Sequence, residues 1–249
     1  DTPGEAGHGD FDLGDASSGD DGPRQPLLQV VKMMLTNPAI MIIAAIEFCS
    51  GYLRNGILQW YKPFAKETHR LPAFVHDHWG MLNCVAGILG GVTAGMISDR
   101  LFGSRRGPVA AVLYVLMVVG ALAMYPTLGN KGIGWVVVVM TLAIIGVHGM
   151  LSGTASADFG GKKNAGIATG IIDGFVYLGS ATQAMVYGQV LPKGDDAKTA
   201  ENWRIWPILM VPFSLVGLVL ATFVWNARPK AHTQPVVPLP PPPPIDVPE

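Results

Sequence analysis

From residue 27 to residue 228 the chain alternates long apolar runs with short polar breaks that carry Pro63, Pro72, Pro126, Gly129, Pro192 and Gly194. Six runs, 38–60, 78–101, 107–127, 132–157, 164–191 and 203–226, each reach the roughly 20 residues an α-helix needs to cross a bilayer core. Lys, Arg, Asp and Glu are too sparse within them for helices covered by water, whereas a helix in lipid satisfies its own backbone. The pattern predicts an all-α integral membrane protein, a six-transmembrane-helix bundle with short turns at the membrane surface. Ahead of the first run, residues 27–35 set Lys32 among Leu, Val and Met. That stretch predicts an amphipathic helix in the interface, before Pro38 turns the chain into the bilayer.

Composition divides the chain into three parts. The hydrophobic fraction is 49% and the charged fraction 14%, and mean hydropathy is +0.36 even though both ends are polar. Residues 1–26, rich in Gly, Asp, Ser and Pro, bury too little to offset the entropy of ordering and read as a flexible acidic linker. Residues 27–228 form the membrane domain, and the lipid bilayer is its surrounding. Residues 229–249, with an unbroken proline run over 240–244, read as a disordered polyproline-type tail. A net charge of -1 offers no basic stripe for a phosphate backbone, which excludes nucleic acid as a partner. Cys49 and Cys84 lie in apolar runs and read as small hydrophobes, without the spacing of a disulfide or metal pair. No nucleophile with its base, metal cluster or phosphate-cradling loop stands out, so neither enzymatic chemistry nor a cofactor or metal is expected.

An even number of spans puts both tails on one side, with the loops holding Arg100, Arg105, Arg106, Lys162 and Lys163. The opposite side has Lys62, Lys66, Arg70, Lys131, Lys193, Lys198 and Arg204. Counting Arg24, Lys32, Arg228 and Lys230 as well, the bias is slight, and it predicts cytoplasmic tails.

Gly87, Gly91 and Gly95 in the second run, and Gly166, Gly170 and Gly174 in the fifth, recur every four residues on one helical face. Such faces let backbones approach closely in lipid, as fixed packing or as surfaces that slide. The loop after the second run reads Gly95-Met-Ile-Ser-Asp99-Arg100-Leu-Phe-Gly-Ser-Arg105-Arg106. Asp99 with Arg100, Arg105 and Arg106 forms either a charge network that locks one conformation or a plain cytoplasmic anchor. This Gly-x-x-x-Asp-Arg run with its basic pair resembles the signature loop of the major facilitator superfamily, which joins the second and third helices of each six-helix half. The loop after the fourth run, Asp158-Phe-Gly-Gly-Lys162-Lys163, repeats the idea, and the first run carries Gly51-Tyr-Leu-Arg54-Asn-Gly-Ile-Leu-Gln-Trp60. Together these resemble the organophosphate:phosphate antiporter family, whose members include glycerol-3-phosphate and hexose-phosphate transporters.

The resemblance runs from about residue 27 to residue 228 and matches the C-terminal half of such a transporter. It implies a missing N-terminal six-helix half as partner, residues 1–26 as the cytoplasmic linker between halves, and a bacterial inner membrane as the location. The chain begins without Met, which also reads as a piece of something longer. The activity implied is exchange of an organic phosphate ester for inorganic phosphate by alternating access. Alternatives are a proton-coupled symporter of another organic anion and a transporter-like sugar-phosphate receptor.

Arg54 is the leading candidate for substrate binding. A guanidinium within a span costs about 2.5–3.5 kcal/mol or more, so it belongs on a water-filled path. Its planar fork suits an oxyanion, and the resembled family gives one Arg of each half that role. Glu47, two turns earlier, is expected to balance Arg54 in the empty site, or to exchange a proton for substrate. Asp173 lies deep in the fifth run, where Gly170-Ile-Ile-Asp173-Gly174 resembles the sugar-phosphate exchanger branch. His148 and Tyr177 complete the set as donors to phosphate or substrate hydroxyls, with Tyr52, Asn55 and Trp60 as weaker candidates.

Overall fold

The structure, a computed structural model, describes residues 26–68, 73–155 and 164–227. Helix α1, Leu27–Thr36, precedes α2, Pro38–Leu58. Asn37 separates them: its side chain accepts from the backbone N–H groups of Ala39 at 3.0 Å and Ile40 at 3.4 Å, with Pro38 in the first turn. An Asn cap followed by proline fixes a helix start, because Pro lacks only a donor that has no partner there. α1 buries Val30 and Met34 against the bundle and leaves Leu27, Leu28, Met33 and Leu35 exposed, the two-faced pattern of an interfacial helix.

Beyond α2 come the short helices α3, Tyr61–Thr68, and α4, Ala73–Asp77, then α5, Trp79–Phe102, and α6, Arg106–Thr127. α7 covers Ile133–His148 and runs into a π-helical turn, Gly149–Ala155. α8 is Ala165–Val190 and α9 is Ile205–Phe223. All six expected spans are present as helices among the described residues, and five are long and apolar enough to cross a membrane. α8 is not among those five; its 26 residues include Asp173, Gln183 and Gln189.

Some boundaries differ from expectation. The first span ends at Leu58, and after Gln59 and Trp60 the chain resumes as α3, which buries Tyr61 and Phe64. Pro63 falls in the first turn of that helix, where proline is tolerated, and so does not mark a loop. The fourth span gives up its α-helix at His148 for the π turn. The sixth begins at Ile205, after two 3-10 turns, Gly194–Lys198 and Ala200–Arg204.

Helices α2 and α8 touch closely: a Cβ on Gly51 would strike the Val176 carbonyl, and one on Gly179 the Phe48 carbonyl. α5 meets α7 through Gly90 and Gly146, and α6 meets α9 where Gly107 abuts Val224. The glycine stripes noted in the sequence do not make these crossings. Gly91, Gly95, Gly166, Gly170 and Gly174 have nothing within 4 Å of an added Cβ, and only Gly87 of the six touches a neighbour, Ile145. Spacing identifies a face; it does not identify the neighbour, and these faces look out of the bundle. Polar ties reinforce the interior: Tyr114 donates to the Ile46 carbonyl at 2.6 Å and Trp206 to the Gly56 carbonyl at 2.8 Å. Both supply a donor to a backbone carbonyl where water is absent.

Candidate functional site

Arg54 sits about one turn before the end of α2, beside Ile57, Leu58, Thr141, Ile144 and Ile145. It is half-buried and forms no hydrogen bond or ion pair with any of the described residues. The expected pairing with Glu47 does not occur. Glu47 is fully buried, and its Oε2 lies 2.9 Å from Nδ1 of His148 at the end of α7. Seven residues of helix separate the two α2 side chains by about 10 Å of rise, too far for contact. A period of seven returns a residue to the same face without bringing it to the same height.

The α2/α7 contact thus holds two levels, Arg54 against Thr141 and Glu47 against His148. A third polar pair stands one turn beyond His148, where the Ser152 hydroxyl of the π turn donates to the Asp173 carboxylate of α8. Asp173 is therefore tied to α7, and its neighbours Gly170 and Gly174 are open. A π turn re-aims side chains relative to an α-helix and recurs at functional sites. Nothing in the apolar pattern of 132–157 announces it, so Ser152 escaped the sequence reading.

Tyr177 is 68% exposed on the face of α8 that continues from Gly170 and Gly174. Asn55 turns toward α8, donating to Gln183 Oε1 at 2.6 Å and to the Ser180 carbonyl at 3.2 Å. Tyr52, 1% exposed and stacked on Phe213, is a packing residue, and Trp60 packs edge-on to Tyr187 and Trp203.

At the tail-side end of α5, the chain reverses through Gly103 and Ser104, with φ of 57° and 61°. The left-handed turn lets Ser104 Oγ donate to Asp99 at 3.0 Å and Arg106 reach the same carboxylate oxygen at 2.9 Å. Arg106 also donates to Ser98 Oγ at 2.9 Å, while Arg105 Nε donates to the Phe102 carbonyl at 3.0 Å. Asp99 and Arg106 are thus brought together, Arg105 caps the helix, and Arg100 stays exposed. Asp158, Lys162 and Lys163 lie outside the described residues.

Five helices long and apolar enough to cross a membrane, packed with α8 around buried ionisable groups, define a polytopic membrane protein of the carrier type. The chain belongs to the Major Facilitator Superfamily, whose family model matches residues 5–184. It is 28% identical to the glycerol-3-phosphate transporter of Bacillus subtilis (strain 168), over 80% of this chain and 44% of that protein. A probable hexose phosphate transport protein of Chlamydia pneumoniae is 26% identical over 79% of this chain and 42% of its own length. The membrane sensor protein UhpC of Salmonella typhimurium is 27% identical over 74% and 43%. The chain therefore spans less than half the length of these curated relatives. No solved structure matches it.

Proposed function

We propose that this chain is the C-terminal six-helix half of a secondary transporter that exchanges an organic phosphate ester, such as glycerol-3-phosphate or a sugar phosphate, for inorganic phosphate. The observation that carries this reading is Arg54, a half-buried guanidinium within a span and without an acidic partner among the described residues. A cation so situated is stabilised by an anion arriving from water, and its two parallel N–H donors match two phosphate oxygens. Similarity to a glycerol-3-phosphate transporter and to a probable hexose phosphate transport protein supports a phosphate ester as cargo.

In this reading His148 and Tyr177 donate to the cargo, and Asp173 lies at the edge of the path. The open glycine faces of α5 and α8 meet the N-terminal half, which supplies the opposite wall and a second Arg. The two halves rock about the bound anion, so that the site opens to one side at a time. The Asp99–Arg106 pair holds one of those states, with Asp158, Lys162 and Lys163 as its counterpart. Both tails are cytoplasmic and the membrane is a bacterial inner membrane.

Counterflow in proteoliposomes bearing the full-length polypeptide tests the proposal. Labelled phosphate is expected to enter vesicles preloaded with unlabelled glycerol-3-phosphate, without a pH gradient. Uptake that requires a pH gradient and ignores internal phosphate points instead to a symporter of another anion. Saturable binding without flux points to a receptor.

A further inference from the structure

Glu47 is a carboxylic group at the middle of a membrane helix with 0% exposure. One of its oxygens is bonded to His148 Nδ1 at 2.9 Å, and the other, Oε1, has no hydrogen-bond partner. Ser50, nearly a turn further on, is equally buried and its hydroxyl is likewise without a partner. His148 differs in one respect: 25% of its side chain remains open, at the point where α7 loosens into the π turn beside the exposed Gly149. The pair therefore has a sealed end and an open end.

An uncompensated charge in such a setting is expensive, so the pair is held neutral overall by one shared proton, as carboxylate with imidazolium or as acid with imidazole. The charged and titratable groups around it are few. Arg54 and Cys49 lie on its own helix, and α6 contributes Tyr114, whose hydroxyl is committed to the Ile46 carbonyl. α8 contributes Asp173, committed to Ser152. α9 has no ionisable side chain, α5 has none between Cys84 and Asp99, and α1 offers only Lys32, exposed at the tail-side end. With the site empty, the local sum is the single positive charge of Arg54. A phosphate ester dianion reverses that sum to one negative charge, and a second proton on the pair returns it to zero.

We propose that Glu47 and His148 form a proton site linked to anion binding, which takes up one proton as a phosphate dianion binds at Arg54 and gives it up when the anion leaves. The proton comes from water on the open side of His148, adds to a ring nitrogen or a carboxyl oxygen, and returns by the same route. Glu47 is a positioning residue: it holds the imidazole and shares its charge without touching the cargo. This rests on the reading of Arg54 as the anion site.

The test is calorimetric titration of the full-length polypeptide with glycerol-3-phosphate between pH 7.5 and 9, where the ester is a dianion, in buffers of different ionisation enthalpy. About one proton is expected to be taken up per bound ester, and affinity to weaken roughly tenfold per pH unit. Glu47→Gln is expected to abolish both effects while the ester still binds, and His148→Gln to abolish both with weaker ester binding, since its imidazole donor to the cargo is lost. Two variants from opposite helices guard against one that fails to fold. Proton uptake that persists in Glu47→Gln, whether the proton rides on the ester or on His148 alone, overturns the proposal, as does a wild-type affinity independent of pH. Absence of any ester binding to the wild-type protein overturns the Arg54 reading itself, and this proposal with it.

Discussion

At the scale of the single residue, the decisive feature is that the two ionisable side chains of α2 are served differently. Glu47 has a basic partner and no exposure, whereas Arg54 has some exposure and no partner. Replacing Arg54 by Lys keeps the charge and removes the planar fork, so one charge-assisted bond to an oxyanion is lost. At about 1.5–3 kcal/mol for such a bond, phosphate affinity is expected to fall roughly 10- to 100-fold. Membrane insertion should be unchanged, and equilibrium binding of labelled phosphate in detergent checks it; an unaltered affinity removes Arg54 from the site. That a cation lies inside the first span was legible in the sequence, because Arg54 in an apolar run is conspicuous by its cost. The partner of Glu47 was not legible, because it lies 101 residues away on another helix. Local spacing on one helix offered Arg54 in its place, and only the packing of α2 on α7 shows the difference in height.

At the scale of the helix, backbone proximity separates glycines that are structural from glycines that are open. Gly51→Ala and Gly179→Ala each thrust a methyl group at a carbonyl of the facing helix, so α2 and α8 must part. Overpacking of this kind costs about 1–3 kcal/mol, and both variants are expected to melt earlier in detergent. Gly170→Ala and Gly174→Ala meet nothing within 4 Å and gain helix propensity. Their melting should be unchanged or raised, and any loss of flux in the full-length polypeptide then reports on a surface beyond this half. Thermal unfolding of the four variants side by side checks the contrast. Helix number and approximate ends were readable from apolar length alone, since a span is fixed by bilayer thickness. The break after His148 was hidden, for Gly149-Met-Leu-Ser-Gly-Thr-Ala155 continues the run without a charged residue or a proline. Proline misled at Pro63, where its place in a helix's first turn counts for more than its presence.

At the scale of the whole molecule, the bundle is unevenly covered. Of the apolar stretch of α5 17% is buried, against 67% for the stretch that begins at Pro38, and Gly91 and Gly95 on α5 have open space before them. The corresponding face of α8 runs from Gly170 through Gly174 to Tyr177. Lipid tails solvate such faces as readily as another helix does, so exposure alone does not call for a protein partner; smooth small-residue stripes do favour one, since they allow close backbone approach. Two consequences are open to measurement. Ser104→Cys, in the turn after α5, and Asn130→Cys, in the turn after α6, are expected to react with an impermeant thiol reagent from opposite sides of intact cells or inverted vesicles, with Ser104 on the cytoplasmic side. Labelling of both from one side ends the six-span topology. The 249 residues reconstituted alone are expected to insert and yet carry no phosphate flux, since the anion path would have one wall and one guanidinium. A flux comparable with that of the full-length polypeptide would mean that two copies of this chain can face each other across the site, each giving its Arg54 to a common anion. That outcome would relocate the missing wall from a different half to a second copy of the same one.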